Sequence, residues 1–275
     1  MSQQDLIAIV EQSPQAVAIH DKAAWMGIFA NNHVVEDPVG STPHLSNSGS
    51  NEPHDALSRF YDTFIAPNQL AFDVKQDVVC AKHVIRDLQI NLQMSDKISA
   101  EVPMHLLYEL TEEDGTYKVS RLAAHWEFMP MIMQLLKKGF AALPVLAALT
   151  VRMLKLQGIG GALGFSKAAF NVGKQGKQQA LSFERAVANK DLAALESLFA
   201  VKGASIHYPY GESPIDAEQL IENAPELLSL SKLLVSGDAV TASIELKLAE
   251  EVKSGVAIFK FDRSNHKLNT VFFYF

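Results

Sequence analysis

Carboxylates and the nine histidines are the groups in this 275-residue sequence that could move a proton near neutral pH, Asp37 and His105 among them. Asp37 sits in the strand-and-turn Val35-Glu36-Asp37-Pro38-Val39-Gly40, and His105 ends the string Val102-Pro103-Met104-His105. A carboxylate can take up a proton or orient an imidazole, and an imidazole can donate to a developing enolate or alkoxide. Each residue also has a plainer reading. Aspartate before proline is a common turn residue, and a lone histidine is often a hydrogen-bonded core or rim group. Other chemistries lack their residues. The histidines are too scattered for a metal site, and no His-Glu-x-x-His spacing occurs. The single cysteine, Cys80, excludes an intramolecular disulfide or a Cys-rich metal centre and fits a reducing compartment. The run from Gly158 to Gly164 lacks the spacing of a nucleotide-binding loop, and there is no Gly-x-Ser-x-Gly elbow. No metal and no cofactor is expected.

The elements that must position these residues repeat. Ala16, Val17, Ala18, Asp21, Ala23, Ala24, Phe29 and Ala30 recur in register as Ala186, Val187, Ala188, Asp191, Ala193, Ala194, Phe199 and Ala200. With one residue inserted, the turn Val35–Gly40 then recurs as Ile206-His207-Tyr208-Pro209-Tyr210-Gly211. A helix, a strand and a Pro-x-Gly turn in one order indicate an internal repeat. Both copies end in a hairpin, Leu106–Leu110 with Lys118–Phe128 and Val256–Phe261 with Lys267–Phe275. Within the first copy Leu88, Ile90 and Leu92 alternate with polar residues, the pattern of a half-buried strand. The final strand, Thr270–Phe275, is apolar on both faces and needs cover on both.

Between the copies the character changes. From Phe128 to Phe183 there is no acidic residue, while Lys137, Lys138, Arg152, Lys155, Lys167, Lys174 and Lys177 are present. Apolar residues at helical spacing predict amphipathic helices broken near Pro144 and Gly158. One reading is a connector packed on the two domains; the other is a basic surface for an anionic membrane or an acidic partner. The uncharged gap from Gly139 to Val151 is shorter than a spanning helix of roughly 20 residues. No signal peptide is read at the N-terminus, and a cytoplasmic protein is expected. The net charge of −7 argues against nucleic acid as a partner.

The string Ile28–Ser41, above all Val35-Glu36-Asp37-Pro38-Val39-Gly40-Ser41, resembles the opening of the bacterial ketosteroid isomerases. These belong to the nuclear-transport-factor-2-like superfamily, with the SnoaL-like cyclases and scytalone dehydratase. The resemblance spans roughly residues 10 to 130, with a fainter echo over 180 to 275. It implies an α+β fold class: two tandem cone-shaped folds, each a bent antiparallel sheet packed on helices, joined by a helical connector. The expected domains are 1–130 with the pocket, 131–178 as connector, and 179–275 as a degenerate second copy.

By the same resemblance Asp37 matches the general base of that isomerase. Tyr61 matches a pocket-lining tyrosine, Leu88, Ile90 and Leu92 fall at apolar pocket positions, and Trp126 matches an aromatic wall residue. His105 stands where the isomerase has the protonated aspartate of its oxyanion hole, so it is paired with Asp37 as the catalytic couple. The helix position of the isomerase tyrosine falls near Ser13 or Gln15, neither of which is a phenol. Strand alternation sets His125 on the face opposite Trp126, as a second-tier candidate. In copy two Tyr208 replaces Asp37 and Val256 replaces His105.

The function implied is proton transfer, as isomerase, dehydratase or cyclase, on an apolar carbonyl- or hydroxyl-bearing substrate. The alternative is a non-catalytic binder of apolar ligands or a scaffold. The second copy would form a pseudo-dimer within the chain, or the chain a homodimer.

Overall fold

The computed structural model describes residues 2–46, 55–200 and 205–275 and divides into two compact units. The first comprises Met1–Asp77 and Lys82–Ala169; the second comprises Val78–Ala81 and Phe170–Phe275.

The first unit opens with α1 (Gln3–Ala18) and α2 (Lys22–Gly27). A capping box between Ser2 and Asp5 starts α1, and Asp21 caps α2 by accepting from the Ala24 amide at 2.9 Å. Strand β1 (Phe29–Glu36) delivers the turn that carries Asp37, and β2 (His44–Leu45) folds back on it. Helix α3 (Asp55–Phe60) continues into a π-helical turn at Tyr61–Ile65. Then come β3 (Gln69–Cys80), β4 (His83–Ser95), β5 (Ile98–Glu113) and β6 (Thr116–His125), giving the strand order β2-β1-β6-β5-β4-β3. The sheet is antiparallel except that β1 joins β6 in parallel. The parallel pair arises because the chain crosses from β1 through α3 before entering the antiparallel meander.

Three further helices, α4 (Phe128–Leu136), α5 (Leu143–Leu156) and α6 (Gly158–Ser166), belong to this first unit. Their attachment is specific. The Thr42 amide donates to the Gly164 carbonyl at 3.1 Å, and a Cβ on Gly164 would lie 2.8 Å from the Thr42 Cβ. Only glycine lets α6 approach so near to the turn that follows Asp37.

The second unit repeats the plan with α7 (Gly173–Ala188), α8 (Leu192–Ser197), β7 (Ser205–His207), α9 (Ala217–Glu222), β8 (Leu227–Ser236), β9 (Ala239–Leu248), β10 (Glu251–Phe261) and β11 (Leu268–Tyr274). Its strand order is β7-β11-β10-β9-β8, again with one parallel pair, β7 with β11. The correspondence extends to individual bonds. Asp191 caps α8 through the Ala194 amide at 3.0 Å, as Asp21 caps α2. Lys118 Nζ donates to the Gly27 carbonyl, and Lys267 Nζ to that of Ser197. The Val39 amide reaches the Ala124 carbonyl at 2.9 Å, and the Tyr210 amide that of Phe273 at 2.7 Å. Gly40 and Gly211 both take left-handed φ, 96° and 103°, after a cis X–Pro bond. The chain is therefore two tandem α+β copies of one fold.

The described residues of the second copy build an aromatic core. Phe183 is fully buried, with Phe259 at 5.4 Å, Phe273 at 6.0 Å and Phe199 at 6.3 Å between ring centroids. Along β11, Val271 and Phe273 point into this core. The opposite face finds cover within the same unit: Phe272 stacks on His207 at 4.8 Å and Tyr274 on Tyr210 at 4.9 Å. Truncating a buried phenylalanine removes apolar contact and leaves a cavity. Phe183→Ala is expected to cost about 3–5 kcal/mol, measured by urea unfolding of the full chain. A loss within the error of the measurement would contradict this account of the core.

Candidate functional site

In the first copy the same interior is hollow. Two adjoining chambers, of about 100 Å³ and about 80 Å³, share Asp37, Phe60, Phe64, Leu70, Ile90 and Met104 in their walls. The outer chamber is completed by Leu92, Trp126 and Asn68, and by Met131, Leu149 and Phe165 from α4, α5 and α6. The inner one is completed by Ser13, Trp25, Val35, Leu122 and Tyr108, among others. The lining is almost entirely apolar.

Asp37 is the charged group in these walls. It keeps intermediate accessibility and borders both chambers, so its carboxylate is set largely among apolar side chains. Burial pushes its pKa up to about 6, against the lowering effect of one hydrogen bond from Trp126. In that bond Trp126 Nε1 donates to Asp37 Oδ1 at 2.6 Å. Trp126, 7% exposed, both lines the outer chamber and fixes the carboxylate. The bond connects the end of β1 to the end of β6, which the parallel pairing of Glu36 with Ala123 has already set side by side.

Ile90 and Leu92 line the cavity; Leu88, on the same face of β4, is fully buried without reaching it. Tyr61 does not line either chamber. Phe60 and Phe64, one helical turn apart, take the cavity side, so Tyr61 is rotated away. Its ring packs 5.5 Å from Trp25 with Lys22 Nζ over it at 5.9 Å, and its hydroxyl is buried without a hydrogen bond.

His105 also departs from expectation. Met104, Leu106 and Tyr108 face the chambers, so alternation turns His105 to the other face of β5. It does meet an aspartate, but that residue is Asp87, directly opposite on β4, with 3.7 Å between His105 Nε2 and Asp87 Oδ2. His125 lies across from His105 on β6, on that same outer face. All three are buried. The structure thus separates the expected Asp37–His105 couple by the thickness of the sheet.

Polar groups that do face the inner chamber are Tyr108 and Ser13. Tyr108 is fully buried, and its hydroxyl stands near Ser13 without reaching hydrogen-bonding geometry. Burial raises the phenol's pKa, partly opposed by Arg86 beside it, so Tyr108 remains a donor at neutral pH. Arg86, 2% exposed, is held by Asp77 at 2.7 Å and by Glu11 at 2.5 Å. The sequence carried a signal for this group: Arg86 falls on the Leu88–Ile90–Leu92 face, where a lone charge among apolar residues demands partners. Tyr108 shares the inward register of Met104 and Leu106. Met131, Leu149 and Phe165 could not be placed in the wall from a segment read as a connector.

No protein-family model and no curated protein matches the chain. Solved structures do. A Δ5-3-ketosteroid isomerase from Mycobacterium sp. is 24% identical, covering 46% of this chain and 95% of its own, with a TM-score of 0.38. A Mycobacterium tuberculosis protein in complex with estradiol-17beta-hemisuccinate is 21% identical over 46% of this chain and 95% of its own, TM-score 0.38. An M. tuberculosis LEH-like epoxide hydrolase is 15% identical over 52% and 96%, TM-score 0.40. Each aligns with about half of this chain and nearly the whole of its own.

The Asp37 environment sets a pH dependence. Its folded pKa lies above the unfolded value of about 4, so the native state holds the extra proton between the two. Stability contributed by this group is therefore present below about pH 4 and lost as pH rises through about 6, by at most about 3 kcal/mol. Asp37→Asn is expected to melt higher than the parent at about pH 8 and like it at about pH 4. In a site-resolved titration Trp126→Phe should move the Asp37 midpoint further up. A midpoint in the range of exposed aspartates would contradict the enclosed carboxylate.

Proposed function

We propose that the first copy is a proton-transfer enzyme acting on a small apolar carbonyl- or hydroxyl-bearing compound, with Asp37 as general base and the second copy as its scaffold. The observation that carries this reading is a single carboxylate in the wall of an otherwise apolar cavity, where burial pushes its pKa up to about 6. A base with that pKa is ionised at neutral pH yet only weakly solvated, the condition under which it takes a proton from carbon or hydroxyl most readily. The base needs an electrophilic partner where negative charge develops. Tyr108, a buried phenol facing the inner chamber, fills that role in place of His105. Arg86 beside it adds a positive field without entering the chambers' walls. Trp126 orients Asp37 through its indole N–H.

The steroid-related neighbours point to the class of apolar ring compounds. The chambers together are smaller than the about 300–1,000 Å³ of ordinary ligand sites, which favours compounds of one or two rings.

The test is solvent deuterium uptake by NMR, with small cyclic ketones and enones alongside a 5-ene-3-ketosteroid. The parent should exchange the proton beside the carbonyl, with a rate that rises as pH passes through about 6 while Asp37 ionises. Asp37→Asn should lower it about 100- to 10,000-fold, and Tyr108→Phe about 100-fold. Binding of these compounds without exchange would replace the enzyme reading with that of a non-catalytic ligand binder.

A further inference from the structure

The three helices that close the outer chamber are apolar on more than one side. Met131, Leu149 and Phe165 face the cavity, and Leu135 and Met153 are buried beneath them. Yet Leu143, Val151, Leu154 and Leu163 are exposed on the same helices or their flanks, with Phe140 at 90% and Ile159 at 72%. A helix apolar all round belongs in a protein core or in lipid, and contiguous exposed apolar surface on a folded protein marks an interaction site. The charge of the segment selects the partner. Lys137, Lys138, Lys155 and Lys167 are exposed among these residues, and no acidic residue occurs between Glu127 and Glu184 in a chain whose net charge is −7.

We propose that the outer face of this helical cover docks on an anionic phospholipid bilayer. The apolar side chains enter the headgroup boundary, and the lysines reach lipid phosphates along their flexible stems. Among the described residues, Gly139–Leu156 is long and apolar enough by length and composition to cross a membrane. Its attachment favours lying along the surface. Leu149 lines the cavity, Met153 is buried, and Arg152 Nε donates to the Thr63 carbonyl at 3.1 Å, so α5 is fixed to the fold along one side. Docked in this way, the cover separates the Asp37 cavity from lipid by one layer of helix, and apolar compounds dissolved in the bilayer become its supply. That last clause rests on the function proposed above; the docking does not.

The experiment is co-sedimentation of the full chain with vesicles of phosphatidylcholine alone or of an equimolar phosphatidylcholine–phosphatidylglycerol mixture. The chain should sediment with the mixed vesicles, be released by raised salt, and stay largely in solution with the neutral ones. Lys137→Gln and Lys138→Gln should each weaken partitioning about fivefold. Phe140→Ser and Ile159→Ser, at exposed positions, should weaken it without changing the thermal melt. Sedimentation that ignores lipid charge, or that survives all four substitutions, would overturn the proposal. So would a dimer in light scattering that Phe140→Ser dissociates, with no vesicle binding by the parent, because a second copy would then cover this face. Asp37→Asn should bind vesicles like the parent, so lost exchange activity with retained binding counts against the enzyme alone.

Discussion

A carboxylate enclosed in apolar surroundings is costly, and the first copy is arranged around tolerating one. Without partners its ionised form would lose several kcal/mol of hydration. Desolvation accordingly pushes its pKa up. The single indole hydrogen bond from Trp126 recovers some of it and does so with little conformational freedom, because the tryptophan is buried against the cavity wall. The bond in turn requires that the ends of β1 and β6 lie side by side, which the parallel pairing provides. It also requires a turn compact enough to bring Asp37 inward, which Gly40 at φ 96° and the Ser41 contacts to the Pro38 carbonyl supply. The close seat of α6 at Gly164 fastens the helical cover to that turn.

The second copy shows what happens when that constraint is removed. The repeated bonds equate Asp37 with Tyr208 and Trp126 with Phe275. There the hydrogen-bonded pair has become an aromatic one, with ring centroids 5.1 Å apart, and Phe273 packs on Tyr208 at 5.2 Å. Where the first copy lines a cavity beside a carboxylate, the second packs aromatic rings around a phenol. One backbone plan thus carries both arrangements, which differ in side chains at equivalent positions.

Much of this was legible in the sequence, for identifiable reasons. The repeat could be read because caps, turns and strand order are local and survive divergence. Asp37 and Trp126 could be placed because a specific turn string and a strand alternation fix them. Tyr61 could not, because helical phase near a π-helical turn decides which of three neighbouring aromatic residues faces inward, and Phe60 and Phe64 take that side. His105 was misplaced by one position of register, which in a strand reverses the face. The basic segment was read as a connector because its apolar residues announce burial without saying against what; three of them complete the cavity wall.

The cover of α4, α5 and α6 also sets a kinetic rule for whatever the first copy binds. Met131, Leu149 and Phe165, one from each helix, stand in the wall of a chamber of about 100 Å³, so its width depends on how the three helices pack. A collective shift of such helices falls on the microsecond-to-millisecond scale. Residence time of a bound compound then becomes a property of helix packing and not of affinity alone.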